Sequence, residues 1–190
     1  MKNYFELLKK LAFMDRCHCG PEMSMAYDYL IKYYSGSRKL HYQCGEDIYG
    51  WEIPPYWECN DAKLLDSSGK IIADKSRNNL EVFSYSPPYE GEISLEELNE
   101  HLLSDPNRPD AILFHFRNQY RHRNAEWGFS LPYKIRKGLK DEKYYVKIDS
   151  YYDYSKKMIQ ADFLHKGKTE KEYLFMGHFD HPSMVNDGLS

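Results

Sequence analysis

The sequence predicts a mixed α and β chain, with helices first, a β-rich middle, and strands near the end that begin a larger sheet. Three observations carry this. Apolar residues recur at helical spacing up to Tyr34. From about residue 40 the period changes to two and Pro or Gly pairs punctuate the chain. The last third then holds two alternating segments and one short, wholly apolar run.

Residues 3–14 read as a helix because Phe5, Leu8, Leu11 and Ala12 share one face, with Glu6, Lys9 and Lys10 opposite. Gly20-Pro21 interrupts, and Pro21 suits the first turn of a second helix carrying Met23, Ala26, Tyr27, Leu30, Ile31 and Tyr34. Gly36 ends it. Ile48–Ile53 alternates as a strand with Tyr49, Trp51 and Ile53 on one side, until Pro54-Pro55. Strands are expected at 62–66, 70–73 and 79–84, the first two joined by the turn Ser67-Ser68-Gly69.

Ser94-Leu95-Glu96-Glu97 has the form of a capping box, and Leu95, Leu98 and Leu102 continue as a helix to Asp105-Pro106. Residues 111–116 read as a strand. Alternation returns at 144–149 and 159–163, residues 165–172 read as a hairpin turn, and Tyr173–Gly177 reads as a strand buried on both faces. The order implies three parts: N-terminal helices over 1–45, a β-rich domain over 46–135, and the first strands of the larger sheet over 136–190.

Composition limits the function classes. A hydrophobic fraction of 42% is that of a globular chain. With 26 basic and 29 acidic residues, the net charge of −3 gives no electrostatic reason for nucleic acid or an anionic membrane as partner. No apolar run reaches membrane-spanning length, and Glu6 falls where a secretory signal would need its apolar core, so cytoplasm is the default. Cys17, Cys19, Cys44 and Cys59 are therefore expected as free thiols. Cys17-His18-Cys19 looks ligand-like but lacks the repeated C-x-x-C spacing of a structural zinc site. Self-association is left open.

The chemistry concentrates after the apolar run. His178-x-Asp180 at a strand end can supply a metal ligand and an orienting carboxylate, since a ligating imidazole needs its other N–H held. His181 follows, then Asn186-Asp187-Gly188, where a carboxylate can bridge two cations. Two metals about 3.5–4 Å apart can activate one water and polarise a carbonyl.

Gly177-His178-Phe179-Asp180-His181 with Asn186-Asp187-Gly188 resembles the co-catalytic zinc aminopeptidases, which carry a strand ending in H-x-D and a later bridging aspartate. Nearly the whole chain is similar to a bacterial family of aminopeptidase-like proteins of poorly defined function, with a β-rich domain inserted into the aminopeptidase fold. The matching stretches are Gly50–Trp57, Asn79–Ser86, Glu126–Pro132, Val146–Ser150 and His181–Asp187.

The resemblance implies a zinc-dependent hydrolase acting through metal-activated water on a peptide or an amide-containing small substrate. The inserted β-domain would shape the cleft. His178 would be a terminal zinc ligand, Asp180 the catalytic orienting carboxylate and Asp187 the bridge. His181 stands as the alternative first ligand. It further implies a glutamate base, another carboxylate ligand and a late histidine beyond residue 190. The chain would then be the front of a longer protein, inactive alone, and the two-zinc site would exist only at full length. The alternative is an aminopeptidase fold whose chemistry is lost or repurposed for binding in surface-polysaccharide synthesis, because members are often encoded among such genes.

Two further features suit a substrate. Arg117 and Arg121, with His122 and Arg123, could grip a carboxylate or phosphate through forked guanidinium bonds, or else form a solvated loop. Trp127 could line a sugar or peptide groove; at strand spacing such a residue is more often core.

Overall fold

The computed structural model describes residues 4–32 and 36–162, together with 167, 170, 173, 177 and 179–181. In chain order its first elements are α1 (Tyr4–Leu11), α2 (Pro21–Ile31), β1 (Arg38–Gln43), β2 (Asp47–Ile48), β3 (Trp51–Glu52), β4 (Tyr56–Leu65), β5 (Ile71–Asp74) and β6 (Tyr89–Ser94). Then follow α3 (Leu95–Glu100), β7 (Leu102–Leu103), α4 (Arg117–Tyr120), β8 (Phe129–Ser130), α5 (Tyr133–Arg136), β9 (Lys143–Asp153) and β10 (Lys157–Asp162). Helices and sheets are both present, as the sequence predicts.

The chain divides into two compact units, one formed by Met1–Tyr56 with Asp153–Ser190 and the other by Trp57–Tyr152. These borders differ from the expected 45/46 and 135/136. The reason is β9: its first half pairs antiparallel with β6 from Tyr89↔Ile148 to Ser94↔Lys143, which ties residues 143–148 to the middle of the chain.

In the first unit, Pro21 starts α2 as predicted, its missing N–H costing nothing in a first turn. Leu7, Leu11 and Ala26 pack together, with Tyr29, Leu30 and Phe179 against them. β1 and β10 pair antiparallel from Arg38↔Asp162 to Gln43↔Lys157. Cys19, Cys44 and Ile53 form a second cluster with Tyr42, Ile48 and Met158. The four cysteines are free and buried.

The expected single strand at 48–53 is instead a tight hairpin of β2 and β3. Tyr49 (φ 54°) and Gly50 (φ 84°) both take the left-handed conformation of a two-residue turn, and the Gly50 amide donates to the Asp47 carboxylate at 3.0 Å. Tyr49 is consequently fully exposed rather than on the buried side.

The second unit is built on a four-stranded sheet in the order β5-β4-β9-β6. Tyr144, Val146, Ile148 and Ser150 alternate inward along β9. The Asp66–Lys70 turn joins β4 to β5, with Gly69 at φ 83°. Residues 79–84 do not form the expected strand. The Asn78 side chain accepts from the Leu80 amide and caps a 3-10 turn over Asn79–Glu81, leaving only an isolated bridge from Val82 to Phe129.

Ser94 caps α3 by accepting from the Glu97 amide at 3.2 Å, as the capping box predicts. The helix stops at Glu100, because Leu102 and Leu103 leave it to pair in parallel with Phe129 and Ser130. Residues 111–116 are likewise not a strand; the Leu113 amide donates to the Ser130 hydroxyl at 2.7 Å instead of to a ladder. Most of 165–172 and of the run 173–177 lies outside the described residues. Tyr173, expected at the start of a buried strand, is 89% exposed.

Candidate functional site

His178 and Asp187 lie outside the described residues; Asp180 and His181 are described, and both belong to the first unit. What holds them is the short segment between α1 and α2. Arg16, within that segment, is completely buried. An arginine stays charged in a protein, so a buried one must spend its donors on acceptors. Its Nε donates to the Phe179 carbonyl at 3.0 Å and its Nη1 to the Leu11 carbonyl at the open end of α1. The guanidinium also sits 5.1 Å from the centre of the Phe179 ring, and the Arg16 amide donates to the His181 carbonyl at 3.3 Å. Phe179 in turn lies 5.3 Å, centre to centre, from the Tyr27 ring.

This clamp fixes the backbone on both sides of Asp180. The Asp180 carboxylate then meets His18, whose Nδ1 lies 3.3 Å from Oδ2. Burial holds the His18 imidazole below its ordinary pKa, although Asp180 pulls it upward. Burial, with Asp180 adding to it, pushes the Tyr27 phenol up to about 12, so it remains protonated at neutral pH. His181 is buried, with 4% of its surface exposed.

An imidazole and a carboxylate on one tethered segment are donors that zinc accepts. Among the described residues, however, no three of His, Cys, Asp or Glu converge as a metal site. Within Cys17-His18-Cys19, Cys17 donates to Asp15 at 2.7 Å, Cys19 sits in the core, and the His18 imidazole lies 3.3 Å from Asp180. Sequence reasoning missed Arg16 altogether and did not link His18 to Asp180. The polar triplet was a signal for His18; nothing in the pattern marked a lone loop arginine as buried.

The remaining candidates lie in the second unit. Arg117 opens α4 and is exposed at the rim of a cavity of about 450 Å³, whereas Arg121, at the other end of that helix, is exposed but does not line it. Trp127 is 9% exposed. Its ring stacks on His101 at 3.7 Å and on Tyr89 at 4.4 Å, centre to centre, within the core of the unit. Among the described residues, no helix is long and apolar enough to cross a membrane.

Comparison with known proteins agrees with this division. Residues 56–151 match the family model described as "Domain of unknown function (DUF2172)", nearly the span of the second unit. A Clostridium acetobutylicum protein named as a polysaccharide biosynthesis protein with an aminopeptidase-like domain is 34% identical over 146 residues, covering 77% of this chain and 32% of its own. A crystal structure at 2.37 Å of a protein named as a peptidase, from the same organism, aligns with a TM-score of 0.69 at 27% identity, over 83% of this chain and 36% of its own. The chain thus spans about a third of the length of either relative.

Proposed function

We infer that this chain, which belongs to the DUF2172 family, supplies the first metal-binding motif of a zinc-dependent, aminopeptidase-like hydrolase that acts on an amide bond. The observation that carries the reading is the tethering of Phe179-Asp180-His181. A completely buried arginine and a buried-side histidine hold the backbone and the carboxylate of an H-x-D motif. A segment that only connected two elements would gain nothing from spending a buried charge on it. The names of the two relatives, one aminopeptidase-like and one a peptidase, point to the same chemistry.

In this reading His178 and Asp187 are the zinc ligands, with His181 the alternative to His178. Zinc, when bound, lowers the pKa of a water and polarises an amide carbonyl. Asp180 is the orienting carboxylate, and Arg16 fixes its main chain while His18 fixes its side chain. Because burial keeps His18 toward its neutral form, the imidazole can lie 3.3 Å from the carboxylate without cancelling its negative charge.

The experiment uses the protein at its full encoded length. Hydrolysis of leucine p-nitroanilide should vanish after removal of metal by a chelator and return with added zinc. Metal-independent hydrolysis would sink the zinc reading. No hydrolysis of any aminoacyl or peptide substrate in the zinc-loaded protein would favour the second reading, a binding protein of polysaccharide synthesis on the same fold, to which the name of the curated relative points.

A further inference from the structure

The second unit contains a cavity that the hydrolase reading does not use. It lies among β7, the 111–116 segment and the start of α4, and its volume of about 450 Å³ is that of a small-ligand site. The 111–116 segment borders it because the Leu113 amide is bound to Ser130 and not to a neighbouring strand. The floor is apolar: Phe83, Leu102, Leu103, Leu113 and Phe114 line it, and the His115 ring stacks flat on Phe83 at 4.0 Å.

The rim carries both signs of charge. Arg108 is already bound to Asp105 at 2.8 Å. Arg117 and Glu126 also line the cavity, and neither makes a side-chain ion pair or hydrogen bond among the described residues. The backbone that carries them is nevertheless held, through Asn118. Its buried amide donates to the Ser84 carbonyl at 3.1 Å and the Glu126 carbonyl at 2.7 Å, and accepts from the Glu126 amide at 3.1 Å. Arg117 is the chain neighbour of that pinned residue. The fold therefore presents a cation and an anion beside one cavity, with no ion pair between them among the described residues.

Between them, His115 is kept below its ordinary pKa by burial and by Arg117, against the pull of Glu126. Its Nδ1 is buried and lacks a hydrogen bond of ordinary geometry. The imidazole is thus mostly uncharged at pH 7, and the charges left at the cavity besides the Arg108–Asp105 pair are the cation of Arg117 and the carboxylates of Glu126 and Glu100.

We propose that this cavity binds a small zwitterion with an apolar body, of the class of an apolar α-amino acid, its carboxylate on Arg117, its ammonium on Glu126 and its side chain against Phe83, Leu113 and Phe114. A forked guanidinium suits a carboxylate, and each charge finds its complement only when the ligand carries both groups. The inference stands apart from the hydrolase reading, since it needs no metal and none of His178, Asp180, His181 or Asp187.

The test is titration of the 190-residue chain, followed by calorimetry or ligand-observed NMR, with L-phenylalanine, L-phenylalaninamide and N-acetyl-L-phenylalanine. L-phenylalanine should bind most tightly, and loss of either charge should cost about tenfold in Kd. Arg117→Gln should erase the preference over the amide alone, and Glu126→Gln the preference over the N-acetyl compound alone. Lys143→Gln, on an exposed residue of β9 that does not line the cavity, should change nothing. Absence of binding at millimolar L-phenylalanine, equal affinity for the three compounds, or Arg117→Gln binding like the wild type would each overturn the proposal. Circular dichroism of the variants separates a lost contact from a lost fold.

Discussion

Replacing Arg16 by methionine probes the clamp around Asp180. Methionine keeps much of the apolar stem and volume but none of the donors, so Leu11 and Phe179 each lose a hydrogen-bond partner while the Arg16 amide contact to His181 can persist. A hydrogen bond from a charged donor contributes about 1.5–3 kcal/mol, so the two lost bonds amount to about 3–6 kcal/mol before compensation. The wild-type fold, however, bears the desolvation of a fully buried cation, which is several kcal/mol and is relieved in the variant. The carbonyl of Leu11 still accepts from the Met14 amide at 3.2 Å, whereas that of Phe179 lies in irregular backbone and has no helix or ladder donor to replace the guanidinium. A net loss of about 2–4 kcal/mol follows. Urea denaturation measures the global change, and hydrogen exchange at the Asp180 and His181 amides measures the local one. A variant as stable as the wild type, or more stable, with unchanged exchange at Asp180, would refute the idea that the buried charge holds this segment.

Gly128→Ala should destabilise the second unit by about 2–3 kcal/mol, read as a lower urea midpoint. A Cβ there would meet Phe83 Cε2 at 2.3 Å and the His101 carbonyl oxygen at 2.6 Å; that oxygen already accepts from the Phe129 amide, and Phe83 is stacked on His115. Ser94→Ala should cost about 1 kcal/mol by removing the cap of α3, with no change in ligand binding. The His115 pKa is lowered in the fold, so between that value and the ordinary 6.5 the unfolded chain binds more protons than the folded one. This contribution to stability is fully present above pH 6.5 and is lost as pH falls through 6.5 toward the folded value. His115→Phe, which keeps an aromatic ring on Phe83, should flatten that part of the stability–pH curve; an unchanged slope would show that His115 is not the group responsible. His18, lowered in the same sense, leaves a residual slope.

The parts of the fold read well from sequence are those whose pattern is set locally. The Ser94 cap, the start of α2 at Pro21 and the alternation of β9 each follow from a few neighbouring residues. The misread parts depend on partners far along the chain. Residues 111–116 have strand composition, yet Leu113 bonds a side-chain hydroxyl on β8. Ile48–Ile53 alternates, but the left-handed pair Tyr49-Gly50 folds it back on itself. Val82 forms one bridge and no ladder, because Asn78 has already turned the chain before it. The site divides in the same way. Asp180 and His181 stood out through their spacing, whereas Arg16 and His18 reach them across 163 and 162 residues of sequence, a pairing that no local pattern encodes. Arg117 was picked for its charge, but the cavity beside it and the pinning by Asn118 belong to packing alone.

The segment around Asp180 is proposed to belong to a zinc site that includes Asp187. Its most direct measurement is zinc content after dialysis, by mass spectrometry, of the protein at its full encoded length and of its Asp187→Ala variant. Stoichiometric zinc in the wild type and its loss in the folded variant is the predicted result. Equal zinc in both proteins, or none in either after zinc loading, would contradict it.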